Sequence, residues 1–287
     1  MTLLIGLTGW GDHDTLYTDP DKKKNKLATY SSHFPVVEID SSFYAIQSQE
    51  NYYKWISETP DNFHFVIKAH QSMTGHDRIK RSIQEAKQLF QSFLESIQPV
   101  IEANKLHTIL FQFPPWFDVR ATNIQKLRKI KQLLPSMPIA IEFRNQTWFE
   151  SEHRQATLNL IKKNGWTHTI CDEPQAGEGS VPTVLEITNP STVLVRMHGR
   201  NIHGWNRNGR DGEDWRNVRY LYQYNKKELT EWAEYVRQLE EKAETVTILF
   251  NNNSGGDASD NAKEFIQLLD ISYKNLNPRQ LDLFEDD

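Results

Sequence analysis

The chain of 287 residues has almost no cysteine: Cys171 is the single one, so no internal disulfide can staple the fold. It has no apolar run near the roughly 18 residues needed to cross a bilayer. Its opening, "MTLLIGLTGW", lacks the basic start and long apolar core of a secretory leader. A cytoplasmic protein with no membrane partner is therefore expected. There is no HExxH, no paired-histidine zinc motif, no Walker loop and no Rossmann fingerprint, which removes the commonest metal and nucleotide signatures. Internal repeats and low-complexity tracts are also lacking. A formal net charge of −5 argues against a protein that coats nucleic acid, although a local basic patch remains compatible with it.

What is present is an alternation. Eight strand-length apolar runs recur: "LLIGLTG", "PVVEID", "FHFVIKA", "HTILFQF", "PIAIEF", "WTHTIC", "TVLVRMHG" and "VTILFNN". Between most of them lie segments with apolar residues every three to four positions, as in Ile83, Ala86, Phe90, Phe93, Leu94 and Ile97. Eight strand–helix units predict a single (β/α)8 TIM-type barrel, an α/β fold. The sixth unit is irregular, because residues 172–191 are rich in Pro and Gly and show no clean helical period. One domain is expected over residues 1–271, with 272–287 leaving it as a C-terminal tail.

In a parallel barrel the outward face of each strand packs on helices, and the inward face fills the barrel and opens at its C-terminal mouth. Side chains alternate along a strand. In "PIAIEFRN", Ile139, Ile141 and Phe143 take the outward face, so Glu142 and Arg144 point inward. The same parity sends Thr8, Trp10, Glu38, Asp40, Lys68, Gln112, Arg196, His198 and Asn251 inward, and the sixth strand ends at Asp172. A dry core rejects such a ring of charge unless it is paired. Two accounts follow: a self-neutralising plug, or a binding and catalytic pocket. The pocket is the stronger expectation, because barrel enzymes place their chemistry there.

Loop 199–225 interleaves Arg200, Arg207, Arg210, Arg216 and Arg219 with Trp205, Trp215, Tyr220, Tyr222 and Tyr224. Arg grips phosphate or carboxylate in a two-pronged way, and rings stack on bases or sugars. A long surface loop pinned by its own aromatics is the plainer account. "NNNSGG" at 251–256 is a Gly-rich turn into a helix, compatible with an anion but weak as a signal. No cofactor is expected. The inward carboxylates with His198 could hold a divalent metal weakly, against repulsion from Lys68, Arg144 and Arg196.

The strings "IGLTGW", "FPVVEIDSSFYAIQS", "FVIKA", "ILFQFPPWF", "IAIEFRNQTWF", "VRMHGRN", "YLYQYNKKELTEWA" and "LFNNNSGGDASDNA" together resemble the YecE-like family, the domain of unknown function 72 proteins. The resemblance runs in matching order from about residue 3 to 270. It implies a (β/α)8-type barrel and supplies no settled activity. The positions carrying it are Gly9, Trp10, Glu38, Phe43, Tyr44, Lys68, Gln112, Glu142, Arg144, Trp148, His198, Gly199, Asn251 and Asn252.

The candidate catalytic set is Glu38, Lys68, Glu142 and His198, with a Glu as general base and His198 as acid. The candidate substrate-binding set is Trp10, Tyr44, Gln112, Arg144, Arg196, Arg200, Asn251 and Asn252. Three functions are carried forward: an enzyme, such as a phosphoester hydrolase, binding an anionic small molecule or nucleic acid; a carbohydrate or small-acid enzyme using the Glu38–Glu142 pair; and a non-catalytic binding or adaptor protein. The tail bears on the third. Gln280, Leu281, Asp282, Leu283 and Phe284 resemble the pentapeptide with which bacterial DNA polymerases and repair proteins dock on the sliding clamp.

Overall fold

The computed structural model describes residues 2–17, 24–207 and 209–278, without the side chains of Glu213 and Arg216. Eight parallel strands close into one barrel in chain order, β1 pairing back to β8. They are β1 Thr2–Thr8, β2 Val36–Ile39, β3 His64–Lys68, β4 Leu106–Gln112, β5 Ile139–Glu142, β6 Thr167–Asp172, β7 Val193–Met197 and β8 Thr245–Phe250. The expected (β/α)8 fold is the observed one. No helix lies between β6 and β7 among the described residues, so the sixth unit is irregular as its Pro and Gly content predicts. No described helix is long and apolar enough to cross a membrane.

Alternation sorts the strand side chains into two cores. Val37, Ile39, Phe65, Ile67, Ile109, Phe111, Ile139, Ile141, Val195, Ile248 and Phe250 join the apolar layer between barrel and helices. Helix Ile83–Glu102 covers part of that layer with Phe90, Phe93 and Ile97. Its start is fixed by a capping box, in which Ser82 and Glu85 satisfy each other's backbone N–H groups. Beyond β5, Phe143 and Trp148 stack at 4.1 Å and Trp148 Nε1 donates to the Phe117 carbonyl at 2.6 Å, which seals the outer layer beside the mouth.

Inside the barrel a separate cluster of Leu4, Val36, Val66, Leu110, Ala140, Leu194 and Leu249 makes a dry floor. Counting two residues on from six of these gives Glu38, Lys68, Gln112, Glu142, Arg196 and Asn251. The polar ring therefore stands one layer above an apolar one, toward the C-terminal mouth. The seventh, Leu4, leads instead to Gly6. A Cβ at Gly6 would lie 2.0 Å from the Val36 carbonyl oxygen, so only glycine lets β1 and β2 approach as they do.

The segment expected to leave as a tail at 272 stays on the barrel through the last described residues. Tyr273 Oη accepts the Ile5 N–H at 2.9 Å, and Asn277 Nδ2 donates to Ser31 Oγ at 2.7 Å and the Glu58 carbonyl at 2.9 Å. The clamp-like pentapeptide 280–284 lies outside the described residues.

Candidate active site

The floor of the site is one ion network. Arg196 donates from Nε and Nη2 to the two oxygens of Glu38, at 2.8 and 2.6 Å, and from Nη1 to Glu142 Oε2 at 2.7 Å. All three side chains are essentially unexposed. Glu142 Oε1 accepts from Gln112 Nε2 at 2.7 Å and Arg144 Nη1 at 3.0 Å, and lies 3.2 Å from His198 Nε2. His198 Nδ1 is 2.8 Å from Asn251 Nδ2. Nε2 also lies 3.2 Å from Arg144 Nη1, which can only donate, so this one ring nitrogen faces both a donor and the Glu142 acceptor.

Burial alone would raise Glu142, but Arg196, His198 and Arg144 hold it well below the usual carboxylate range. Burial also raises Glu38, opposed by Arg196; the two-pronged contact, with both oxygens accepting, is the geometry of the carboxylate. Burial drives His198 down to about 3 against the attraction of Glu142. At that value the ring is uncharged at pH 7.

Other expected site residues separate from this network. Arg196 is no free anion clamp, because each of its three nitrogens already serves a carboxylate. Arg200 turns outward and binds Asp172 at 3.0 Å and Glu231 at 3.1 Å. Asp172 itself points to the helix side, since Cys171 takes the inward position of β6 beside Glu142 and His198. Asn252 pins the Tyr222 carbonyl at 2.8 Å and Asn261 at 2.9 Å. Lys68 pairs with Asp40 at 3.3 Å, next to the network. Trp10 packs edge-on against Trp55, and Tyr44 stands exposed on the rim.

Glu173, Trp205, Arg219 and Tyr220, which the strand parity omits, complete the site. Glu173, two residues past Cys171, is buried; its Oε1 accepts the Val181 N–H at 2.6 Å, and its Oε2 lies 3.4 Å from Arg144 Nη1 with no hydrogen bond. Burial pushes it up to about 7, against Arg144. Loop 199–225 folds over the mouth, with helix Ile202–Trp205 placing the Trp205 ring 4.5 Å from the Arg144 guanidinium and 4.6 Å from that of Arg219. Gly199 starts this loop at φ +85°, and a Cβ there would meet Tyr222 at 2.5 Å. Tyr220, half-buried, lies 5.9 Å from the His198 ring; burial would raise its phenol, but Arg219, Arg144, Lys68 and Arg196 hold it below its ordinary value.

Two arginines of this upper tier carry unused donors. Arg144 Nε and Nη2 and Arg219 Nε are buried without a hydrogen-bond partner. Cation binding fits less well. Glu142, Cys171 and His198 bring ligand-type atoms within 4.8 Å of one another. Yet Glu142 is already shared by two arginines, and burial lifts the Cys171 thiol well above its ordinary range, so no thiolate is on hand.

The model of the family described as "Protein of unknown function DUF72" matches residues 4–282. The UPF0759 protein YunF of Bacillus subtilis (strain 168) is 51% identical over 282 residues, covering 98% of this chain and 100% of that protein. The UPF0759 protein YecE of Escherichia coli (strain K12) is 25% identical over 203 residues, covering 63% of this chain and 70% of that protein. The crystal structure of a DUF72 family protein from Enterococcus faecalis V583 superposes with a TM-score of 0.88 at 38% identity, covering 98% of this chain and 100% of the other.

Proposed function

From the premise that the chain belongs to the DUF72 family, we propose that its barrel mouth binds a small anionic substrate, phosphate-bearing in the first instance, and performs proton-transfer chemistry on it. The observation that carries this is the set of three buried arginine N–H groups without a hydrogen-bond acceptor, two on Arg144 and one on Arg219. A buried donor left unbonded costs about 1–3 kcal/mol, so anion oxygens that met these donors would recover that cost. A phosphate or carboxylate offers several oxygens to such a fork.

The chemistry divides between tiers. The lower tier of Glu38, Arg196 and Glu142 fills the barrel and orients what lies above it. Glu142 positions Arg144 and the His198 ring. Glu173 titrates near neutral pH and keeps one oxygen free of hydrogen bonds, as a general base requires. Tyr220, with its lowered phenol, is the matching acid. A glycosidase-type pair of Glu38 and Glu142 is disfavoured, because one guanidinium bridges both carboxylates and no reacting sugar fits between them.

The test is calorimetric binding of inorganic phosphate, small phosphoesters and nucleic acids, with phosphate release followed in parallel. Arg144→Lys keeps the charge and loses the fork; Arg219→Gln loses a free donor. At least tenfold weaker binding in both, with melting temperatures retained, is expected. Wild-type affinity in both variants, or no binding by any compound, would sink the proposal. Glu173→Gln serves as the control that binds but turns over poorly.

A further inference from the structure

We infer that the rim beside this mouth holds a subsite for a planar heteroaromatic ring, so that the anion taken is a nucleoside monophosphate; the inference rests on the anion-binding reading above. Two large aromatics stay open to solvent here: Tyr44 is 61% exposed and Trp116 is 47% exposed. Tyr44 follows β2 and Trp116 follows β4 after Pro114–Pro115, so both stand at the C-terminal end of the barrel.

A continuous series of ring contacts leads from the cationic mouth to these two residues. Lys68 Nζ lies 4.7 Å over the Phe43 ring. Phe43 meets Tyr44 edge-on at 5.1 Å and His76 at 4.9 Å, and His76 meets Trp116 at 6.0 Å. His76 is close enough to the mouth for Lys68 and Arg144 to add to the burial that holds it down at about 4, so it presents a neutral face at pH 7.

The rim loop is built to hold one more planar group. Asp77 accepts from Arg81 Nη2 at 2.6 Å, Ser72 Oγ at 2.5 Å and the Ile79 N–H at 3.1 Å. Inside that clamp Arg78 is forced to φ +56°, a left-handed conformation that side chains other than Asn, Asp and Gly rarely adopt. The strain sets the Arg78 guanidinium 4.1 Å over the Trp116 ring. Strain of this kind, over-determined by its surroundings, clusters at ligand clamps. A guanidinium plane and exposed indole and phenol rings are the groups on which bases stack.

Three ligands that add one part at a time test the inference: inorganic phosphate, ribose 5-phosphate and adenosine monophosphate, titrated calorimetrically into the wild type and Trp116→Ala. Trp116 is half exposed, so its removal spares the fold, which a melting curve verifies. The wild type should bind the nucleotide about tenfold more tightly than ribose 5-phosphate, a step of about 1.4 kcal/mol. Trp116→Ala should erase that step and leave the affinity for inorganic phosphate unchanged. If the nucleotide binds no better than ribose 5-phosphate, or if its advantage survives in Trp116→Ala, the ring subsite is overturned while anion binding stands. If none of the three binds, both readings fall together.

Discussion

Arg196→Met separates a structural role for the lower tier from a ligand-binding one. The substitution keeps the volume and removes the charge that joins Glu38 to Glu142. Both carboxylates then remain in a fully buried layer directly above the apolar floor. Breaking a buried ion network by deleting one partner costs about 3–5 kcal/mol, because the charge left behind is uncompensated. Unfolding entropy of about 2.1 cal/mol/K per residue, over 287 residues, gives about 0.6 kcal/mol/K. The melting temperature should therefore fall by about 5–8 °C, read by calorimetry or circular dichroism at pH 7. The triple variant Glu38→Gln/Glu142→Gln/Arg196→Met removes charge from all three positions and should recover part of the loss. A single variant melting within about 2 °C of the wild type would refute the reasoning, since it corresponds to only about 1 kcal/mol. It would return Arg196 to the role of a spare cation waiting for a ligand.

For Glu173 the sign follows from its raised value. Folded at about 7 against an unfolded value of about 4.3, it lends stability that is fully present below about pH 4.3 and lost as pH rises to about 7. Glu173→Gln should thus gain on the wild type between pH 5 and pH 8 in paired melting curves; parallel curves would remove the assignment. Turnover should rise with pH through about 7 in the wild type and lose that limb in the same variant. Gly6→Ala places a Cβ against the Val36 carbonyl and should abolish soluble barrel or cost more than about 4 kcal/mol; a melting point near the wild type would show that β1 and β2 can part without penalty. The clamp-like residues 280–284 remain a proposal: purified sliding clamp should retain the full chain and not one truncated after Pro278, and equal retention of both, or of neither, would discard it.

The strands that proved legible share one property: an unbroken apolar face. In β2, β5, β7 and β8 every second residue is Val, Ile, Phe or Met, so the opposite face is fixed without ambiguity. Glu38, Glu142, Arg196, His198 and Asn251 come together for that reason. In β6 both faces carry polar groups. His168 and Asp172 share the helix side with Ile170, while Thr169 and Cys171 face the barrel. Parity then loses its marker, and a slip of one residue moves every side chain to the other face. Asp172 is credited to the mouth and Glu173, which belongs there, is passed over. The covering loop is illegible for a different reason. Trp205 ends helix Ile202–Trp205 and Arg219 ends helix Gly212–Arg219, and their placement depends on long-range contacts such as Trp205 Nε1 to the Gly179 carbonyl at 3.3 Å.

Depth in the barrel explains why two inward arginines have opposite roles. Arg196 lies within β7, so it meets carboxylates from two other strands and every nitrogen is engaged. Arg144 lies two residues past Glu142, the last residue of β5, where the ladder has ended and fewer strands face it. Its Nη1 meets Glu142 at 3.0 Å, His198 at 3.2 Å and Glu173 at 3.4 Å, its guanidinium stacks on Trp205, and its Nε and Nη2 stay unbonded. Side-chain type and strand parity are identical for the pair. The distance from the strand end decides which guanidinium fills the barrel and which is left for a ligand. Swapping the two roles by sequence would therefore require moving the end of β5, not changing the arginines.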